Sequence, residues 1–195
     1  MIETAIIAFV AFAATNVDVA FVLLAYFANP KLSHRNIVVG TYLGMAVLVI
    51  AALLLSAVSV ALIPNNLGVL GVLPVLIGLR QLWNAWREGD EDFHVISPDA
   101  GSLEVVELVA IRTVANGADN VAVYMPLFAG QSHAAQALTC VTFAVLVGVW
   151  CLAARTTAED SAIVAPIRRW GRWITPVVLI VLGVYIFISN GAFAR

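Results

Sequence analysis

Six long apolar stretches dominate this sequence, and they constrain its fold more than any other feature. They cover roughly residues 4–28, 37–63, 66–86, 103–129, 134–154 and 173–190. Each is near the ~20 residues that an α-helix needs to cross the hydrocarbon layer of a bilayer. Only helices and closed barrels satisfy their backbone in lipid, and these stretches lack the alternation of barrel strands. The sequence therefore predicts an all-α integral membrane protein with six transmembrane helices.

The low content of charged residues supports this class of protein. Charged residues make up 11% of the chain, whereas about a quarter of the residues in a soluble domain are charged. The first stretch lacks a basic N-terminal region and stays apolar to Ala28, which favours a retained span over a signal peptide. We expect a multi-pass protein of a cell membrane, the bacterial plasma membrane, with lipid as a partner. The net charge of -2 gives no reason to expect nucleic acid.

Basic residues are concentrated in three of the connections between the stretches. They are Lys31 and Arg35, then Arg80 and Arg87, then Arg155, Arg168, Arg169 and Arg172, whereas the opposite side has only Arg195. Cytoplasmic loops of membrane proteins carry an excess of Lys and Arg. The three connections are therefore expected in the cytoplasm, and both termini outside.

The chain also contains a weak internal repeat. ATNVDVAFVLLAYFA begins at Ala14 and ANGADNVAVYMPLFAG begins at Ala115, and the two segments align with Asp18 on Asp119. Each half holds three spans, an odd number, so the halves must be inserted upside down relative to each other, as in many secondary transporters. We expect one transmembrane transporter domain over residues 1–195. It consists of repeat 1 at about 1–87, a cytoplasmic acidic loop at about 88–102 and repeat 2 at about 103–195.

Two acidic residues fall near the middle of an apolar stretch. Asp18 lies near the middle of the first stretch, and Asp119 lies just past the middle of the fourth. A charge at the bilayer centre costs about 2.5–3.5 kcal/mol on insertion scales, and such residues by default mark ion or proton pathways. Because the two spans run antiparallel, both carboxylates are expected to reach the same depth.

Side chains with amide or hydroxyl oxygens accompany both acids. A hard divalent cation takes six or more oxygen ligands. The predicted ligands are Asp18, Asp119, Asn16, Asn116 and Asn120, with Thr15 and Gly117 in support. Asn16 and Asp18 are about 200° apart on an ideal helix, so both can face one ion only if the helix is broken there. Gly117 could allow a local unwinding that frees backbone carbonyls.

The charges near this site allow two interpretations. Asp18, Asp119 and Arg112 sum to minus one, so a proton or a cation must compensate, and competition between the two would give antiport directly. Arg112, Asn116 and Asp119 share one face of an ideal helix. The alternative is therefore a structural clasp, in which Asp119 pairs with Arg112 and Asp18 is protonated or hydrogen-bonded to Asn116.

Further charged groups lie outside the predicted site. Glu104 and Glu107 lie at the start of the fourth span. They either interact favourably with the positive end of the helix macrodipole or form an entry vestibule. The acidic segment from Glu88 to Gly101 is either a solvated surface or a weak collector of cations. An expected anchor to anionic lipid consists of Arg168, Arg169, Trp170, Arg172 and Trp173.

At these motifs the sequence resembles the CadD-type cadmium resistance transporters, a branch of the LysE superfamily. The resemblance rests on residues 14–18 (ATNVD), 115–120 (ANGADN) and 124–129 (YMPLFA) and covers nearly the whole chain. It implies a six-span efflux protein for cadmium or a related divalent cation, driven by the proton-motive force. It also implies that Asp18, Asn16, Asn116, Asp119 and Asn120 line the path. Family members usually have a second aspartate where this chain has Val19, which removes a charge from the site.

We therefore predict a transporter, not an enzyme, that needs no cofactor and exports a divalent cation in exchange for protons. An all-oxygen site fits manganese or calcium as readily as cadmium, so the ion rests on the resemblance. One alternative is export of a small organic solute such as an amino acid, whose carboxylate Arg112 would bind. An electron carrier would need paired thiols, but Cys140 and Cys151 lie about 16 Å apart on one helix. A non-transporting resistance factor and a homo-oligomer remain open.

Overall fold

The computed structural model describes residues 1–63, 66–87, 102–158 and 161–190, without the side chains of residues 102, 118 and 161–172. All regular structure within these ranges is helical, so the prediction of an all-α protein is confirmed. The helices are α1 (Ile2–Thr15), α2 (Val17–Phe27), α3 (His34–Leu62), α4 (Val72–Arg87), α5 (Ser102–Asn116), α6 (Ala118–Ala129), α7 (His133–Thr157) and α8 (Ser161–Ser189), and a 3-10 helix, Leu67–Gly71, directly precedes α4.

The helices follow the apolar stretches closely. The first stretch forms α1 and α2, the fourth forms α5 and α6, and the third forms the 3-10 helix and α4. Pro74 lies in the first turn of α4, where its missing N–H removes no helical hydrogen bond. The apolar pattern therefore locates the helices to within a few residues.

The last helix begins earlier than the apolar pattern predicts. A connection from Arg155 to Arg172 was expected, but α7 continues to Thr157 and α8 begins at Ser161. The expectation was wrong because apolar length marks the part of a helix suited to lipid, while the helix itself can continue into water. The apolar part of α8 is Trp173–Ser189.

The break between α1 and α2 has a local cause in Asn16. Its backbone N–H and its side-chain Nδ2 both donate to the carbonyl of Phe12, over 3.1 Å and 2.9 Å. Short polar side chains that bond the preceding turn compete with the helical backbone pattern. Asn16 leaves the helical region with φ -118° and ψ 20°, and α2 continues at 62° to α1.

The break between α5 and α6 lies at Gly117, which has φ -91° and ψ 12°. Its backbone N–H donates to the carbonyl of Val114 over 3.1 Å, a tightened last turn. A Cβ at this position would collide with the Leu48 side chain of α3. Glycine therefore lets α3 approach the break.

Three helical segments are long and apolar enough to cross a membrane: α3, the 3-10 helix with α4, and α7. The bent pair α1 and α2 makes a fourth if it counts as one span. Along α3 an outward stripe of apolar side chains is exposed, formed by Leu43, Val47, Ile50, Leu54 and Val58. A continuous apolar stripe of this kind is suited to contact with lipid.

The broken helices are held by unbroken ones. α3 packs along both α5 and α6, and α7 packs along both α1 and α2. Gly40 and Gly44 bring α3 close to α5, because a Cβ on Gly44 would lie 2.8 Å from the carbonyl oxygen of Ala110. α4 packs against α8. Each broken pair thus rests on a helix from the other half of the chain.

Two expectations fall outside the described residues. They concern the acidic segment at 88–101 and the side chains of Arg168, Arg169, Trp170 and Arg172. Trp173, the remaining member of the expected lipid anchor, is exposed.

Candidate cation site

Asn16 is the central residue of a buried polar cluster at the first helix break. It is fully buried. Its Nδ2 donates to the Phe12 carbonyl and, over 2.8 Å, to the Tyr124 hydroxyl. Its Oδ1 accepts a hydrogen bond from Nδ2 of Asn120 over 3.1 Å. Every polar atom of this side chain is therefore engaged within the protein.

Tyr124 of α6 extends the cluster to Thr15. The Tyr124 hydroxyl lies 2.8 Å from Thr15 Oγ1, which lies 2.9 Å from the carbonyl oxygen of Ala11. Because Thr15 donates its one proton to Ala11, Tyr124 donates to Thr15 while it accepts from Asn16. This chain of hydrogen bonds ties the end of α1 to α6.

Trp150 of α7 contacts the same break from a third direction. Its Nε1 donates to the backbone carbonyl of Asn16 over 3.1 Å. Carbonyls at a helix end have incomplete partners within the helix, although the Ala20 N–H also reaches this one over 3.1 Å. The break is therefore fixed by backbone and side-chain bonds together.

Asn120 has a buried oxygen without a partner in the described part of the chain. The residue is fully buried, and no hydrogen bond from the described residues reaches its Oδ1. Exchanging the amide oxygen and nitrogen of Asn120 would not help, because Asn16 presents its Oδ1, an acceptor, to this side chain. The Nδ2 of Asn16 already donates to Phe12 and Tyr124. An unpaired buried carbonyl costs about 1–3 kcal/mol. This oxygen is chemically available to a ligand.

Asp18 lies in the first turn of α2, directly after the break at Asn16. Its carboxylate is positioned against the backbone N–H groups of Asp18 and Val19, as is typical at a helix N-terminus. The side chain is exposed although protein atoms surround it closely. Part of Asp18 is therefore accessible from outside the protein.

Asp119 occupies the equivalent place in α6, in the first turn after the break at Gly117. It is half-buried, and its Oδ2 accepts a hydrogen bond from Nε2 of Gln81 over 2.9 Å. Asp18 and Asp119 lie near enough for their charges to interact. The two acids thus add negative charge to one region of the protein.

The other predicted residues are distributed unevenly around this region. Asn116 is half-buried at the end of α5, and Thr15 belongs to the buried cluster. Glu104 and Glu107 are exposed near the start of α5 and do not belong to it.

Arg112 and Asp119 lie on opposite sides of the break at Gly117. Arg112 is exposed and interacts electrostatically with Tyr26, and the hydrogen bond that Asp119 accepts comes from Gln81. The helix on which Arg112, Asn116 and Asp119 were expected to share a face is therefore interrupted between Asn116 and Asp119.

A layer of aromatic rings covers one side of the polar cluster. The Phe143 ring of α7 has centroid distances of 5.6 Å to Phe12, 4.4 Å to Tyr124 and 6.2 Å to Phe128. None of the four is more than 1% exposed. Interiors packed in this way leave no room for water, so the cluster is sealed on this side.

Within the described ranges, no three His, Cys, Asp or Glu side chains form a group that could hold a metal ion. A cation bound near Asp18 and Asp119 would therefore also need amide or backbone oxygens. Oxygen atoms of this kind are present at both breaks, and Oδ1 of Asn120 is the clearest example.

The sequence model of the cadmium resistance transporter family matches residues 12–195. The chain belongs to this family. The match includes both helix breaks and both acids, and it confirms the resemblance seen in the sequence. Comparison with curated proteins and with solved structures gives no significant match.

Membership of the cadmium resistance transporter family, together with the apolar helices, identifies a membrane transport protein of cadmium resistance. The family is one of transporters. The match gives no support to export of a small organic solute.

Three residues around the site in this family member were not predicted from sequence. Gln81, Tyr124 and Trp150 contact Asp119, Asn16 or Thr15. Tyr124 belongs to a motif that carried the resemblance, and it lies one helical turn after Asn120, which was a usable signal. Gln81 and Trp150 had no such signal, because only folding brings α4 and α7 to the breaks.

Proposed function

We propose that this protein exports cadmium or a related divalent cation from the cytoplasm in exchange for protons, through a site formed where the two broken helices meet. One observation carries the proposal: two acids, each in the first turn after a helix break, lie within electrostatic reach of each other. The family match supports cadmium as the cargo.

The charge of the site favours a cation as substrate. Asp18 and Asp119 bring two negative charges together, and the hydrogen bond to Asp119 comes from a neutral amide, Gln81. Unpaired charges in a low-dielectric region are costly, so protons or a divalent cation must compensate them. Because both ligands compete for the same carboxylates, binding one releases the other.

The helix breaks favour the same function. Broken helices in secondary transporters direct backbone carbonyls and half-helix ends towards the ion near the bilayer midplane. Here α1 and α5 end at the site, while α2 and α6 begin there with an acid in their first turns. We assign Asp18, Asp119, Asn120 and Asn116 as ligands. Asn16, whose oxygen is engaged by Asn120, holds the two breaks together.

We further propose six spans in two inverted repeats, with both termini outside. The breaks at Asn16 and Gly117 each precede the acid by two residues, and Ser33 and Ser132 each occupy the N-cap position of the following helix. The packing is reciprocal as well, since α3 contacts α5 and α6 while α7 contacts α1 and α2. The distribution of Lys and Arg supports the orientation.

In this orientation the aromatic layer lies on the outer side of the site. Phe12 belongs to α1, and Tyr124 and Phe128 belong to α6, the two half-helices assigned to the outer half of the membrane. Asp18, which is exposed, begins α2, the half-helix assigned to the cytoplasmic half of the membrane. This arrangement is that of a transporter ready to accept a cation from inside.

Uptake by inverted membrane vesicles tests the proposal. Vesicles containing the protein, with an acidic lumen, are given cadmium, zinc, manganese or calcium separately. We expect accumulation of cadmium above that of empty vesicles, and its loss when an ionophore collapses the pH gradient. Absence of uptake for all four ions would contradict the proposal, and uptake unaffected by the ionophore would contradict the proton coupling.

A further inference from the structure

Gln81 is the side chain on α4 that reaches one of the two acids. Its Nε2 donates to Oδ2 of Asp119 over 2.9 Å, and both residues are half-buried. The two residues are 38 positions apart in the chain, and Gln81 belongs to neither of the repeated motifs. Asp18 is held differently, by backbone N–H groups.

We propose that Gln81 is a positioning residue that favours cation binding by Asp119 through one carboxylate oxygen and thereby discriminates against calcium. This inference rests on the proposed function, because it concerns the selectivity of the same cation site. Gln81 lies on α4, outside both repeated motifs, and the inference gives this residue a role in ion selectivity.

The carboxylate geometry provides the physical reason. Oδ2 of Asp119 accepts the amide N–H of Gln81, which uses one of its two lone pairs and holds it towards α4. A cation that binds through both oxygens must compete with this bond, whereas one that binds through Oδ1 alone need not. Calcium takes 6–8 oxygen ligands and often uses a carboxylate through both oxygens. A cation that accepts fewer ligands, as zinc does with about four, loses less from this restriction. Fixing one oxygen therefore penalises calcium most.

The position of Gln81 is well defined by the packing of α4. Gly78, one turn earlier, lies so close to α8 that a Cβ there would be 2.7 Å from the carbonyl oxygen of Pro176. Helices in such close contact cannot shift by small steps without a clash. The backbone that carries Gln81 is therefore held firmly against α8. A fixed position of the Gln81 amide is needed if its bond is to set how many oxygens Asp119 offers to a cation.

The experiment measures how strongly calcium inhibits cadmium uptake in inverted vesicles. Gln81→Met keeps the length of the side chain but removes the N–H donor, which frees Oδ2. We expect the calcium concentration that halves cadmium uptake to fall about tenfold, the effect of roughly one hydrogen bond to a charged group. Cadmium uptake without calcium is measured in the same vesicles, and the calcium inhibition of each variant is expressed relative to that variant's own uptake.

Gln136→Met is the matched control. Gln136 is also half-buried, and its Nε2 also donates over 2.9 Å, but to the backbone carbonyl of Phe128. This variant should leave calcium inhibition unchanged. Gln81→Asn keeps a donor on a shorter side chain, so it should give an intermediate shift, and it replaces Gln81→Met in the test if that protein does not fold.

The outcomes separate this inference from the proposed function. Equal calcium inhibition in wild-type and Gln81→Met vesicles, both active with cadmium, would overturn the role of Gln81 alone. A folded Gln81→Met protein without any cadmium uptake would also overturn it, since the residue would then be essential and not selective. Wild-type vesicles that take up no cadmium would overturn the proposed function and this inference together.

Discussion

Asn120 donates a side-chain hydrogen bond to Asn16 over 3.1 Å, although 104 residues separate the two in the chain. The bond joins the two segments that repeat in the sequence, at the point where α1 ends and α6 has begun. It uses the oxygen of Asn16 and leaves the oxygen of Asn120 without a partner among the described residues. The two asparagines thus differ in their hydrogen bonding, since the oxygen of Asn16 is engaged and that of Asn120 has no partner among the described residues.

The two acids should be required for transport. Asp18→Asn and Asp119→Asn each remove a negative charge that a divalent cation needs, while keeping the size of the side chain. We expect each to abolish cadmium uptake by inverted vesicles with expression intact. Glu3→Gln is the control, since Glu3 is exposed at the start of α1 and contacts Tyr185. Normal uptake by both aspartate variants would show that the site is elsewhere.

Asn120 should contribute to cation binding as well as to packing. Binding to the folded state alone raises thermal stability with the logarithm of ligand concentration once that concentration exceeds Kd. Cadmium should therefore raise the melting temperature of the wild-type protein in detergent, and Asn120→Ala should reduce this rise. Asn29→Ala, which removes a bond to the backbone N–H of Lys31 in a connection, should leave the cadmium-dependent rise unchanged. An undiminished rise in Asn120→Ala would exclude Asn120 as a ligand.

The hydroxyl of Tyr124 should stabilise the junction of α1 and α6. Tyr124→Phe keeps the ring in the aromatic layer but removes the bonds to Thr15 and Asn16. We expect a loss of about 1–2 kcal/mol, because buried polar groups lose their partners, measured as a lower melting temperature in detergent. Tyr42→Phe removes one bond at an exposed position, to the Ala144 carbonyl, and should have a smaller effect. Equal effects would argue against a special role for the buried cluster.

The contact between α3 and α5 should not accept a larger residue at Gly44. A Cβ there would lie 2.5 Å from the Thr113 Cβ and 2.8 Å from the Ala110 carbonyl oxygen. We expect Gly44→Val to cost about 1–3 kcal/mol or more by overpacking and to lower the monodisperse fraction on size exclusion. Gly148→Ala meets only the Tyr42 hydroxyl, at 2.9 Å, and should be tolerated far better.

The cysteines should be dispensable. Cys140 is half-buried and Cys151 is buried, both as free thiols on α7. A double replacement by Ala should keep full cadmium uptake, because the proposed site uses oxygen ligands. Loss of uptake in a well-expressed double variant would instead favour a redox or thiolate role.

The sequence by itself determined the class of the protein and the location of its helices. Apolar length is a local property, so it located each helix without knowledge of the packing. The prediction of an 18-residue connection from Arg155 to Arg172 was wrong because a helix can leave the lipid without ending. A break near Asn16 was expected from the sequence on the condition that Asn16 and Asp18 face the same ion, since the two cannot share a face of an intact helix.

Only the tertiary structure decided how the polar groups divide their roles. Whether the side-chain oxygen of an asparagine accepts a hydrogen bond depends on which helices pack around it. No local sequence pattern predicts that α1, α6 and α7 meet around Asn16. The same holds for Gln81, whose amide reaches Asp119 because α4 lies beside α6. Hydrogen bonds act over about 3 Å, so partners distant in sequence become readable only once the helices are packed.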